Sequence, residues 1–172
     1  MKKITSLWLL LAAFALVACS SNPSALNTEA KPQSENKKKI SQTQTKLIEC
    51  AEKTKGDSSI SIVNKEIMFS KLTSENRAQL LASKAKLNEQ QKLALSQAIE
   101  MHQHCRVIAN EFPSAQLTAV YQDTYRQLDF IYQQLLLNEI TIGQANQLKL
   151  EQITKAQKDW NIAEQALNPS PK

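Results

Sequence analysis

The spacing of apolar residues divides the chain into an apolar start, a polar stretch and a long helical region. An unbroken apolar run extends from Leu7 to Val17, whereas residues 20–39 are polar, contain two prolines and lack aromatic side chains. From Ile40 onward, apolar residues recur at steps of three and four, a period typical of helices. The pattern therefore predicts a flexible tether, an all-α domain and a short tail, over residues 19–39, 40–168 and 169–172.

The first half of the domain is predicted to hold one clear helix followed by short elements. Gly56 and Asp57 should end the helix that begins at Ile40, because glycine and small polar residues favour turns. Residues 60–63 are predicted to be extended, and residues 64–72 are predicted to form a short helix.

Capping signals mark the later helices. A cap residue precedes an amide by three positions in the pairs Thr73 with Asn76, Asn88 with Gln91, and Thr141 with Gln144. The second pair opens a long helix over residues 89–111, and Pro113 with Ser114 opens the next one. Because only a short turn joins the last two helices, they are predicted to form an antiparallel hairpin. The predicted fold is a small all-α bundle of about five helices.

The apolar run at the N-terminus has the features of an export signal. Two lysines precede it, it is too short to span a bilayer comfortably, and it closes at Leu16-Val17-Ala18-Cys19. These four residues resemble the lipobox of bacterial lipoproteins. The resemblance implies cleavage after Ala18, which makes residues 1–18 the signal peptide, and lipidation of Cys19. A plain secretory signal is the alternative.

The residue after the lipobox cysteine bears on location. In lipoproteins of enteric type, an aspartate at this position retains the protein at the inner membrane, but this chain has Ser20. The resemblance therefore implies an outer-membrane lipoprotein that faces the periplasm. The implied partners are the membrane, through the Cys19 anchor, and an unidentified envelope protein or cell-wall component. Nucleic acid is not expected, because the protein is exported and its formal charge of +5 is mild and dispersed.

The remaining cysteines predict a disulfide. Once Cys19 carries lipid, Cys50 and Cys105 are left as a pair in an oxidising compartment. A bridge between them closes a long loop, which a chain-entropy treatment values at roughly 4 kcal/mol. The alternative, a redox-active or metal-binding thiol, lacks a CxxC pair.

The sequence predicts no catalytic residue, no metal site and no cofactor. The two histidines, His102 and His104, lie two positions apart and so point to different sides of a helix. His102 and Cys105 share a face, but zinc requires three or four protein ligands. The chain has two glycines, too few for a glycine-rich phosphate loop, and it lacks a GxSxG motif. Catalysis is therefore only the third hypothesis.

Three tyrosines of one predicted helix form the candidate partner surface. Tyr121 and Tyr125 lie on adjacent turns, and Tyr132 lies on the same face as Tyr125. Tyrosine suits a boundary, since it has an apolar ring and a polar tip. Ordinary core packing, with the hydroxyl groups at the rim, is the favoured interpretation.

Two segments resemble degenerate copies of the LTxxQ signature of small periplasmic stress chaperones. They are LTSENR, which begins at Leu72, and LNEQQK, which begins at Leu87. Asn76 stands where the signature has glutamine, and Asn88 stands where it has threonine. The resemblance implies ATP-independent holding of unfolded envelope proteins on a helical cradle. The main hypothesis remains a lipid-anchored envelope protein with a binding or structural role, and a chaperone or adaptor of LTxxQ type is the alternative.

Overall fold

The structure, a computed structural model, describes residues 30–167, with side chains from residue 33 onward. Within that range it contains six α-helices and no strand, which confirms the all-α prediction. The helices are α1 (Ala30–Glu52), α2 (Ser58–Ile62), α3 (Arg77–Ala82), α4 (Glu89–Gln103), α5 (Ala115–Leu136) and α6 (Ile142–Leu167). A π-helical turn, Val63–Ile67, continues α2, and a 3₁₀ segment, His104–Glu111, continues α4. The predicted signal peptide, Cys19 and the predicted C-terminal tail lie outside the described residues.

Helix α1 begins earlier than the apolar pattern indicates. It starts at Ala30, so residues 30–39, assigned to the tether by sequence, are helical. Pro32 falls in the first turn, where a helix tolerates proline. Glu35 and Lys39 form an ion pair one turn apart, with 3.3 Å between carboxylate oxygen and Nζ. This first part of α1 lacks an apolar stripe, so hydrophobic periodicity does not detect it.

The short elements after α1 differ from the prediction. Residues 60–63, predicted to be extended, are helical, because Asp57 caps α2 by accepting a hydrogen bond from the backbone N–H of Ser59 at 2.7 Å. The helix predicted over residues 64–72 ends at Ile67, as a π turn.

A buried asparagine explains why the helix stops there. Asn146 of α6 is fully buried, accepts a hydrogen bond from Phe69 N at 3.0 Å and donates one to Ile67 O at 2.7 Å. Met68, between them, is extended with φ −132° and ψ 129°. These bonds from a distant helix satisfy backbone groups that a longer local helix would otherwise pair.

Two of the three predicted capping boxes are confirmed. At the start of α4, Gln91 N donates to Asn88 Oδ1 at 2.8 Å and Asn88 N donates to Gln91 Oε1 at 3.1 Å. Before α6, Thr141 and Gln144 make the same pair of bonds at 2.8 and 3.2 Å. Each box satisfies two backbone donors that the first turn leaves unpaired.

The prediction of a capping box at Thr73 and Asn76 is wrong. Asn76 is itself the residue before α3 and makes no side-chain cap. Its amide instead donates to the carbonyl oxygens of Asn64 and Lys65 at 3.0 and 2.9 Å. The side chain therefore ties α3 to the π turn.

The buried side chains form two cores along α5 and α6. The first core joins the end of α5 to the beginning of α6 and includes Ile67, Phe69, Leu95, Leu128, Leu135 and Ile142. The second joins the beginning of α5 to the end of α6 and includes Ile40, Leu47, Phe112, Leu117, Tyr121 and Trp160. This order of contacts is compatible with the predicted antiparallel hairpin, which stays a prediction.

The turn between α5 and α6 is fixed by Asn138. This residue has φ 57°, a left-handed conformation that asparagine tolerates at the end of a helix. Its side chain accepts from Leu87 N at 2.9 Å and donates to Leu87 O at 3.1 Å. The turn is thereby joined to the residue just before the α4 capping box.

Candidate functional site

A cavity of about 150 Å³ lies between the two cores. Five helices contribute to its wall, and most of the lining is apolar. The lining includes Leu47 and Ala51 from α1, Ile60 from α2, Leu95 and Ala98 from α4, Leu128 from α5, and Met68. Apolar cavities of about this volume accept molecules of benzene size. The fold therefore contains an interior site with room for a small ligand.

The three tyrosines predicted as a partner surface line this cavity. Tyr121 is 8% exposed, and Tyr125 and Tyr132 are partly buried. They do not form an exposed face, because α5 packs this side against the interior of the bundle. The rings of Tyr121 and Tyr125 lie 4.6 Å apart, and burial raises the pKa of all three hydroxyl groups. The hydroxyls therefore stay protonated and able to donate hydrogen bonds.

An arginine–aspartate pair flanks the tyrosines. Arg106, in the 3₁₀ segment, makes two hydrogen bonds to the carboxylate of Asp129, one of them from Nη2 to Oδ1 at 2.7 Å. Its guanidinium lies 4.8 Å from the centre of the Tyr125 ring. The bond to Asp129 raises the pKa of Arg106. Within residues 30–167, its Nε is buried and has no hydrogen-bond partner.

A second cation, Lys149 of α6, lines the cavity without a carboxylate. It is 4% exposed, and burial is the sole cause that lowers its pKa to about 8. Its ammonium donates to Phe69 O at 2.8 Å and lies 4.9 Å from the centre of the Phe69 ring. Among the described residues, no acidic side chain neutralises this charge. The cavity therefore carries an uncompensated positive group at neutral pH.

The two histidines lie in different environments. His102 lines the cavity, and its Nε2 lies 3.1 Å from the hydroxyl oxygen of Thr54. Burial, and then electrostatic interactions with His104 and Arg106, lower the pKa of His102, so its ring is neutral at pH 7. His104 is exposed.

The predicted cysteine pair is present as a disulfide. Cys50 of α1 and Cys105 of the 3₁₀ segment are bonded, with 5.8 Å between their Cα atoms. Their sulfur atoms and a ring nitrogen of His104 lie within 4.8 Å of one another. In the bonded state neither sulfur is a thiolate, the form that binds metal ions. Because Cys105 also lines the cavity, the bridge holds α1 against the cavity wall.

Three residues of this region, Arg106, Asn146 and Lys149, are not among those that the sequence pattern singled out. A signal was available for the last two, since Asn146 follows Ile142 by four positions and Lys149 follows Ala145 by four. Both therefore fall in the register of the apolar stripe of α6. Polar residues within an apolar stripe indicate buried side chains that form hydrogen bonds with the backbone or with a ligand.

Comparisons of the chain with protein-family models, with curated proteins and with solved structures find no match. The helices described within residues 30–167 all fall short of the combined length and apolarity needed to cross a membrane.

Proposed function

We propose that this chain is a lipid-anchored envelope protein that faces the periplasm from the outer membrane and acts by binding a ligand rather than by catalysis. The observation that carries the binding role is the lined cavity inside a bundle closed by a disulfide. The lipobox resemblance at Cys19 supports the anchor, and the disulfide suits an oxidising compartment.

The side chains around the cavity favour ligand binding over catalysis. Arg106 is paired with Asp129, and Lys149 donates to a backbone carbonyl. The tyrosine hydroxyls are protonated and the His102 ring is neutral at pH 7. Such groups orient a bound molecule through hydrogen bonds and charge, while the apolar lining supplies most of the affinity.

The binding role is tested by the effect of a small apolar molecule on thermal stability. Toluene should raise the unfolding midpoint of the full chain, because a ligand that binds only the native state stabilises it. Ala98→Leu fills part of the cavity from α4 and should abolish the effect, since Ala98 is 5% exposed and lines the wall. The matched control is Ala119→Leu, at an exposed position of α5. An unchanged midpoint for the wild-type protein would refute the binding role.

The anchor and location have a separate test. Cells that express the chain are labelled with radioactive palmitate, and their membranes are separated by density. We expect label in the wild-type protein, in the outer-membrane fraction, and none in Cys19→Ala. Label that is absent from both would contradict lipidation, whereas label in the inner membrane would contradict only the sorting.

Chaperone activity of LTxxQ type stays as the second candidate because of two exposed apolar side chains. Phe130 of α5 and Leu137, the residue that follows the last turn of α5, are 58% and 70% exposed, and their spacing of seven positions puts them on the same side. Such a face would hold unfolded segments. The protein would then suppress aggregation of an unfolded client without ATP, and Phe130→Ser would weaken this. Full activity of Phe130→Ser, or no suppression at all, would count against the chaperone.

A further inference from the structure

The charge balance of the cavity indicates what kind of ligand it takes. Arg106 is neutralised by the two hydrogen bonds to Asp129, and His102 is neutral at pH 7. Lys149 remains as the one uncompensated charge among the described residues that line the cavity. An ionised group buried without a counter-ion is costly, so a bound anion would stabilise this arrangement.

The hydrogen bonds of Lys149 leave capacity for a ligand. An ammonium group has three donors, and within residues 30–167 Phe69 O is its one hydrogen-bond acceptor. Holding Phe69 in place does not require this lysine, because Asn146 already accepts a hydrogen bond from Phe69 N. The ammonium therefore has two donors available to an anion that enters the cavity.

The lining and the volume of the cavity limit the length and the size of a ligand. Its lining follows α5 from Tyr121 to Tyr132, a length of about 16 Å at 1.5 Å per residue. The volume of about 150 Å³ limits a ligand to roughly ten non-hydrogen atoms by comparison with cavities that take substituted benzenes. A straight alkyl chain meets both limits.

We propose that the cavity binds an unbranched medium-chain carboxylate, with the carboxylate against Lys149 and the alkyl chain along the tyrosine-bearing side of α5. The inference rests on the proposed binding function and names the ligand class of the same site. The carboxylate accepts hydrogen bonds from the ammonium, which are shorter and stronger than those between neutral groups. The apolar lining removes the chain from water.

The test compares three ligands of equal length that differ in charge: octanoate, octanol and octylammonium. The full-length protein, purified as cells make it and held in lipid nanodiscs, is titrated calorimetrically at pH 7 against an empty-nanodisc blank. Octanoate should bind about tenfold more tightly than octanol, the ratio expected for a charge-assisted hydrogen bond. Octylammonium should bind most weakly, because it brings a second positive charge into the cavity.

Variants then assign the preference to one residue. Lys149→Met should reverse the preference and bind octanol more tightly, because the carboxylate of octanoate would then be buried without a counter-ion. Lys158→Met, at an exposed position of α6, should keep the wild-type preference. If Lys149→Met does not fold, the wild-type series decides the question alone. Equal affinities of the wild-type protein for octanoate and octanol would overturn the carboxylate proposal and leave the binding function standing. Failure to bind any of the three ligands would overturn both.

Discussion

Replacing Lys149 with methionine should stabilise the protein at neutral pH. The ammonium is buried at 4% exposure, and burial lowers its pKa from 10.5 to about 8. This difference in pKa corresponds to about 3 kcal/mol of native-state destabilisation at pH 7. Methionine is of similar length and removes the charge. It also removes the hydrogen bond to Phe69 O, at a cost of about 1 kcal/mol. The expected net gain in the free energy of unfolding is about 2 kcal/mol at pH 7.

The gain should depend on pH in a defined direction. Between pH 8 and 10.5 the unfolded chain keeps the proton on Lys149 while the native state releases it. The unfolded state then binds more protons, so the stability of the wild-type protein rises with pH over this window. About 2 kcal/mol of the destabilisation is removed by pH 9.5. The advantage of Lys149→Met should therefore fall from about 2 kcal/mol at pH 7 to near zero at pH 9.5.

Urea unfolding followed by circular dichroism at a series of pH values measures this difference. The tyrosines act in the opposite direction, because their pKa values are raised in the native state and the unfolded chain ionises first above pH 9. Their contribution is the same in both proteins and cancels in the comparison. Lys158→Met, on the exposed face of α6, should show no pH-dependent difference from wild type. A stability difference for Lys149→Met that stays constant from pH 7 to 9.5 would refute the argument.

Three further substitutions test the scaffold, each by urea unfolding. Replacing Cys50 and Cys105 together with serine should lower the free energy of unfolding by about 4 kcal/mol, because the bridge spans 55 residues; a loss below about 1 kcal/mol would contradict this. Gly143→Ala should cost about 2 kcal/mol, since the new Cβ would clash with the backbone carbonyl oxygen of Ser83, whereas Gly56→Ala meets nothing within 4 Å and serves as control. Asn88→Ala should cost about 1 kcal/mol through the lost capping box, and a neutral effect would contradict that role.

The sequence predicted the local features of the fold well, because their physical causes lie within a few residues. The capping boxes at Asn88 and Thr141 depend on a partner three positions away, so the signal and the structure coincide. The box at Thr73 failed because the amide of Asn76 bonds to the π turn instead. That competitor lies far enough away in sequence that no local pattern contains it.

The pairing of Cys50 with Cys105 was predictable for a different reason. Counting cysteines in an oxidising compartment leaves one intramolecular choice once Cys19 is set aside, so no geometry is needed. The Arg106–Asp129 pair has no such constraint, since many opposite charges could pair. The same limit applies to the tyrosines, because periodicity places them on one face but does not say whether that face is covered.

Hydrophobic periodicity does not predict the cavity, because the cavity forms where the packing of five helices leaves space unfilled. The sequence does mark two polar residues in an apolar register, Lys149 in the cavity lining and Asn146 three positions earlier in α6, but leaves open whether such residues hold backbone or ligand. In the structure both residues hold backbone: Asn146 bonds to Ile67, Phe69 and Ile142, and Lys149 donates to Phe69 O. Lys149 makes a single hydrogen bond within the described residues and keeps its charge uncompensated.

The disulfide fixes α1, the first described helix after the predicted anchor, to the wall of the cavity. Along α1, Ile40 and Leu47 are buried in the second core, but the end of the helix near the cavity is held by the bridge at Cys50. The neighbouring ion pair, Lys46 with Glu111, is about half exposed on both sides and so contributes little. A pull on the N-terminus therefore reaches a helix that the bridge joins covalently to the 3₁₀ segment. The cavity wall would keep its shape under such a load, as the proposed role of holding a ligand at a membrane surface requires.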